Sequence, residues 1–189
     1  RIMKKVFAVL MSVLMVAALF AGCGEAKPSG EANNTIKIGT TGPLTGEAAI
    51  YGTAVEAGMK IAVEEINAKA GENGLKIEFK AVDDEHNGDK AVTGYDSLMD
   101  WGMQFFAGTV TTDPALAVAP YAAQDNVLML TPSASSVDVP KAGDNVFQMC
   151  FTDPNQGASA AEVVKKYYPN AKIGVIYDSS DNYSIGLQK

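Results

Sequence analysis

From Ile36 onward the chain alternates short apolar or β-branched runs with segments whose apolar residues recur every three or four positions. That alternation constrains the fold more than any other feature. Ile36-Lys37-Ile38-Gly39-Thr40-Thr41 reads as a strand, and residues 53–70 as a helix with Val55, Met59, Ala62 and Ile66 on one apolar face, ended by Gly71 and Gly74. Leu75 to Ala81 alternates strictly, as a half-exposed strand does. Asp89 is expected to cap a helix carrying Ala91, Val92, Tyr95, Leu98 and Met99, and residues 105–108 to form a short buried strand. Asp113-Pro114 should open the next helix, with Asp at the cap and Pro at its first position, and Pro120 should kink or shorten it. Residues 127–130 read as another buried strand and residues 146–151 as strand-like. A helix from Asp153-Pro154 to Tyr168, stopped by Pro169, and a strand over residues 173–177 follow.

Parallel strands joined through helices need right-handed crossovers, so the expected fold class is doubly wound α/β with parallel sheets. Residues 36–150 make one lobe and residues 151–189 open a second. One helix and one strand cannot close a core, so the chain is expected to be truncated within that second lobe.

Ahead of this pattern stand Lys4 and Lys5, an apolar run over residues 6–20 interrupted only by Ser12, and then Ala21-Gly22-Cys23. A basic start, an apolar centre and small residues at the cut read as a secretory signal over residues 1–22. The run is short of the roughly 20 residues that a membrane span needs. Leu19-Phe20-Ala21-Gly22-Cys23 resembles the lipobox of bacterial lipoproteins, with Phe20 departing from the usual aliphatic residue. The resemblance implies that Cys23 becomes the first residue and carries fatty acyl chains such as palmitate, two or more of which anchor stably. Residues 23–35, rich in Gly, Asn, Glu and Ser, then read as a flexible spacer. This places the remainder on the extracytoplasmic face of the cell membrane.

Beyond the signal there are 12 lysines, no arginine and 22 acidic residues, a net charge of about −10. That balance argues against nucleic acid or other polyanions as partners. If Cys23 is acylated, Cys150 has no disulfide partner, and its apolar setting suggests a small buried core thiol. Two cysteines and one histidine cannot close a zinc site.

In open parallel sheets, ligands bind outside the carboxyl ends of the strands. The loops there, residues 42–52, 83–88, 109–113 and 131–136, carry hydroxyls, glycines and Tyr51 but no lysine or cysteine. Enzyme signatures are absent. The glycines of residues 39–46 are not spaced as a dinucleotide fingerprint, no Gly-Lys-Thr/Ser follows a strand, and no Gly-x-Ser-x-Gly occurs. Asp83-Asp84-Glu85-His86 is compatible with a metal or acid–base site, but more simply with a solvated loop at a cleft rim. The chain is therefore expected to be a binding protein, not an enzyme, with no cofactor and no metal.

Ile36-Lys37-Ile38-Gly39, Gly42-Pro43-Leu44-Thr45-Gly46, Tyr51-Gly52, residues 62–67, Asp83-Asp84, residues 131–135 and Asn155-Gln156-Gly157 together resemble the leucine/isoleucine/valine-binding proteins. These are the solute-binding components of branched-chain amino acid ABC importers. The resemblance implies a bilobed type I periplasmic binding protein fold. It implies that a free amino acid, branched-chain or aliphatic, is captured between the lobes and delivered to an ABC permease and ATPase complex. By position it assigns the ligand carboxylate to Thr112 and to the Ser133-Ala134-Ser135 loop. The Ser133 carbonyl would accept from the ammonium group, and Ser135 would offer its N–H to the carboxylate and its hydroxyl to the ammonium. Tyr51 and Tyr183 would be aromatic walls. Thr111 stands where some relatives carry a cysteine, so no disulfide is expected there. The acidic ammonium partner of relatives would lie beyond Lys189. A sensory ligand-binding domain of the same fold and, more remotely, a lipid-anchored α/β hydrolase remain as alternatives.

Overall fold

The computed structural model describes residues 34–71 and 74–189. The expected signal, spacer and lipidation site at Cys23 lie outside the described residues, apart from Asn34 and Thr35. Five strands form a parallel sheet: β1 (Thr35–Gly42), β2 (Lys76–Asp83), β3 (Phe105–Phe106), β4 (Leu128–Thr131) and β5 (Val146–Gln148). Their spatial order is β2-β1-β3-β4-β5. The chain winds outward in both directions from β1, which puts a topological switch point between β1 and β3.

The helices are α1 (Ala49–Lys69), α2 (Gly88–Asp100), α3 (Thr112–Gln124), α4 (Asp153–Tyr167) and α5 (Asn182–Gln188). Helices α2 and α3 pack against each other, and the core lies between them and the sheet. Ala91, Tyr95 and Leu98 from α2 and Ala115, Val118 and Ala122 from α3 meet Phe106, Met129 and Val146 from the strands. Tyr95 and Phe106 pack edge to face, with ring centroids 5.3 Å apart. Helix α1 packs on β1 and β2.

Several expected boundaries shift for identifiable reasons. Helix α1 begins at Ala49 rather than residue 53, so Tyr51 lies in its first turn. Gly52 makes this possible, because a Cβ there would overlap the Pro43 carbonyl. The buried face of α1 also differs: Ala62 and Ile66 are exposed, while Val55, Met59, Val63 and Asn67 are half-buried. Asn67 sets this rotation by bonding both sides of one β2 residue. Its Nδ2 donates to the Ile77 carbonyl at 2.8 Å and its Oδ1 accepts the Ile77 amide at 2.7 Å.

Asn87, not Asp89, caps α2 and accepts from the Lys90 amide. Helix α3 starts at Thr112 with Thr111 at the cap, so Pro114 falls at its third position, and the helix continues past Pro120 to Gln124. The strands expected to be buried at β3 and β4 are buried on one side only. Phe106 and Met129 face the core, while Phe105 and Leu128, paired in register, are each 39% exposed on the side that α1 leaves uncovered. Residues 173–177 do not form the expected strand. Among the described residues they have no neighbouring strand, and an apolar run without a ladder partner has nothing to hold it in a sheet.

Candidate functional site

All the strand-end loops converge on one cleft of about 440 Å³ at the carboxyl edge of the sheet. Ala48 and Tyr51 enter it after β1, His86 after β2, and Val110, Thr111 and Thr112 after β3. Ser133 and Ser135 enter after β4, and Cys150 and Phe151 after β5. The far wall is Gln156 of α4 with Asp181 and Tyr183 at the start of α5.

The floor is built by hydrogen bonds between neighbouring loops. Thr131, fully buried, donates its hydroxyl to the Thr109 carbonyl at 2.6 Å and accepts the Ala134 amide at 3.0 Å. One side chain therefore fixes the β3 and β4 loops relative to each other. Thr112 and Ser135 are each 3% exposed, and both still line the cleft. The Thr111 hydroxyl makes no capping bond to α3; it pairs with His86 Nδ1 at 2.8 Å.

The rim is set by Asp83. Its Oδ1 accepts the Leu44 amide at 2.8 Å and the Glu85 amide at 2.9 Å, and its Oδ2 accepts the Thr45 hydroxyl at 2.5 Å. Burial works against the charged form, but these hydrogen bonds prevail and hold the carboxyl below its usual range. Asp84 behaves oppositely. It is fully buried, and burial pushes its carboxyl up to about 6 against the opposing bond from the His86 amide. Glu85 turns outward to pair with Lys90. The four residues of the Asp83–His86 cluster thus serve four different purposes, and among the described residues no three metal-ligating side chains converge.

The second wall is tied to the first at two points and braced internally at a third. The Asp153 amide donates to the Ser135 carbonyl at 3.0 Å. Asn182 Nδ2 donates to Asp113 Oδ1 at 2.6 Å, joining α5 to α3. Gln156 Nε2 donates to the Tyr183 hydroxyl at 3.1 Å, joining α4 to α5. Asp153 is 1% exposed with neither carboxylate oxygen hydrogen-bonded, and burial raises its carboxyl above the ordinary range. The absence of a side chain at Gly186 is what lets α5 approach, since a Cβ there would overlap that carboxylate.

Of the residues singled out in the sequence, Tyr51, Thr112, Ser133, Ser135 and Tyr183 line the cleft, and Ala134 is buried behind it. Tyr183 stands in the first turn of α5 rather than in a loop. Cys150 differs from the expected core thiol: it is half-buried, lines the cleft, and directs its Sγ–H toward the Ser133 and Ala134 carbonyls at 3.2 and 3.3 Å. Phe151, Gln156 and Asp181 carry no site assignment from the sequence: Phe151 reaches the cleft from the end of β5, and only the return of α4 and α5 over the sheet edge brings Gln156 and Asp181 to the strand-end loops.

A parallel sheet in this strand order, with a cleft at its switch point, is an open α/β lobe of the kind that binds ligands at its strand ends. The chain belongs to the periplasmic binding protein family, which matches residues 35–188. It is 35% identical over 157 residues to the Leu/Ile/Val-binding protein BraC3 of Rhizobium johnstonii, covering 82% of this chain and 42% of that one. It is also similar to the branched-chain amino acid substrate-binding protein LivJ of Streptococcus pneumoniae, solved with isoleucine. There the TM-score is 0.74 at 31% identity, over 82% of this chain and 44% of that one. A solute-binding protein of R. palustris solved with 4-hydroxybenzoate aligns with TM-score 0.71 at 26% identity, over 82% of this chain and 41% of the other. The chain therefore spans less than half the length of these relatives. All three are binding proteins by name.

Proposed function

We propose that the full-length protein is an extracytoplasmic lipoprotein that captures a free aliphatic L-amino acid and delivers it to an ABC importer. The observation that carries this reading is the cleft floor, where two nearly buried hydroxyl residues, Thr112 and Ser135, line the cavity, with Thr112 at the N-terminus of α3. Neutral donors and a helix N-terminus can hold a carboxylate in a desolvated cleft without an arginine. On this reading Ser133 and Ser135 receive the ammonium group, and Tyr51, Phe151 and Tyr183 surround the side chain. Residues 36–150 form the first lobe, and residues from 151 onward open the second. Closure of the lobes buries the ligand and creates the shape that the permease and ATPase complex recognises. The names of the Rhizobium and Streptococcus relatives support a branched-chain ligand.

Residues 1–22 are a signal, residues 23–35 a spacer, and Cys23 the acylated anchor. Mass spectrometry of the mature N-terminus tests the anchor: a diacylated or triacylated Cys23 is expected, and an unmodified N-terminus elsewhere contradicts it. A thermal-shift panel on the full-length protein tests the ligand class. A ligand at about 100 times its dissociation constant adds roughly 2.7 kcal/mol to stability. Stabilisation by aliphatic L-amino acids is expected, and stabilisation only by aromatic acids, sugars or nucleotides contradicts it.

A further inference from the structure

His86 is the one side chain among the described cleft-lining residues that can carry a positive charge. Its placement is held from both ends. The backbone N–H donates to buried Asp84 Oδ1 at 2.9 Å, and the ring Nδ1 lies 2.8 Å from the Thr111 hydroxyl. The residue adopts φ +60°, a left-handed conformation that His and Asn tolerate better than most. Thr111 is the N-cap of α3, yet its side chain makes no capping bond. The third helical position is Pro114, which has no N–H to offer, so the hydroxyl is free to serve the imidazole.

Building on the amino-acid reading above, we infer that His86, together with Thr111, forms part of the ligand-carboxylate subsite. The pair delivers one donor to the cleft in either tautomer. If Nδ1–H donates to Thr111, the Thr111 proton is released toward the ligand; if Thr111 donates to Nδ1, the Nε2–H is the donor that remains. When the ring is protonated both nitrogens donate, and the site gains a positive charge beside the α3 N-terminus. Histidine is the side chain whose charge ordinarily changes between pH 5 and 8. The other ionisable groups on the surrounding elements are Asp83, Asp84 and Glu85 on its own turn, Asp89 and Lys90 on α2, Asp113 on α3, Cys150 after β5, and Asp181 on the far wall with Tyr183. Tyr51 stands on α1. A carboxylate is attracted more strongly to the imidazolium than to the neutral ring, so the pair is expected to add more affinity at pH 5.5 than at pH 8.0.

The test is calorimetric titration of the full-length protein with L-leucine at pH 5.5 and pH 8.0, for the parent, His86→Asn and His86→Ala. Asn keeps the left-handed turn and a polar group near Thr111 but cannot be charged, and the backbone bond from residue 86 to Asp84 is kept in all three proteins. The parent is expected to gain several-fold more affinity between pH 8.0 and 5.5 than His86→Asn gains. His86→Ala is expected to lose about tenfold at pH 5.5, the scale of one hydrogen bond to a charged group. A parent that binds leucine with the same affinity and pH profile as both variants overturns this inference alone. A parent that binds no amino acid at either pH overturns the function proposed above along with it.

Discussion

The Asp153 amide donates to the Ser135 carbonyl at 3.0 Å, so the first residue of α4 is bonded directly to a residue of the cleft floor. Any movement of the segment after Phe151 is thereby transmitted to the loop that holds Thr131, Ala134 and Ser135. Thr112 and Ser135 are nearly buried and line the cleft. In the full-length protein, Thr112→Ala and Ser135→Ala should each weaken amino-acid binding by about ten- to a hundred-fold, since a hydrogen bond to a charged group contributes roughly 1.5–3 kcal/mol. Calorimetric titration of both variants checks this. Parent-like affinity in both would mean that the carboxylate lies elsewhere.

Asp83 collects hydrogen bonds from Leu44, Thr45 and Glu85, and so shapes the turn that leads into α1 and Tyr51. Asp83→Ala should destabilise the protein by about 1–3 kcal/mol, the range for orphaning such donors, and should also loosen the aromatic wall. Asp83→Asn, which keeps the acceptor oxygen for Leu44, should lose less. Urea denaturation of the two variants orders them, and equal stability of Asp83→Ala with the parent would refute the assignment.

Asp84 carries the opposite perturbation, with its carboxyl raised to about 6 by burial. The folded protein therefore holds a proton that the unfolded chain releases near pH 4. The stability associated with neutral Asp84 is present below about pH 4, declines as pH rises toward 6, and is absent above that. Asp84→Asn keeps the acceptor for the His86 amide and removes the charge. Relative to the parent it should gain about 1–2 kcal/mol on going from pH 4 to pH 7.5, a figure reduced for partial solvation. Denaturation at the two pH values measures the gain; a difference independent of pH would contradict it.

Much of this arrangement was legible in the sequence because strand ends can be located from apolar periodicity, and parallel sheets gather their strand ends on one edge. That reasoning is enough to bring Tyr51, Thr112, Ser133 and Ser135 into one region. It does not fix where helices begin. Thr111 rather than Asp113 caps α3, and Gly52 lets α1 start a turn early, because both depend on how closely loops pack. Nor does periodicity reveal that Asn67 turns α1 by bonding Ile77. Cys150 reads as a core thiol because its neighbours are apolar, and only the end of β5 places it at the cleft edge. The run at residues 173–177 has strand composition, but a ladder requires a neighbour that composition cannot supply.

Cys150 provides a direct probe of occupancy, since it is unpaired, half-buried and lines the cleft. In the full-length protein, saturating amino acid should slow its alkylation by at least about tenfold, because at 100 times the dissociation constant only about one site in a hundred is empty. Mass spectrometry of the alkylated peptide over time follows it. Unchanged alkylation at saturation would place the ligand away from the β5 end of the cleft.

The most direct test of the whole account is calorimetric titration of the full-length protein with L-leucine, leucine amide and N-acetyl-leucine. Two nearly buried hydroxyls beside a helix N-terminus should require a free carboxylate, and the Ser133–Ser135 loop should require a free ammonium. L-leucine is therefore expected to bind, and each blocked derivative to lose about a hundred-fold or more, the scale of two charged hydrogen bonds. Equal binding of all three compounds, or no binding of leucine, would contradict the account.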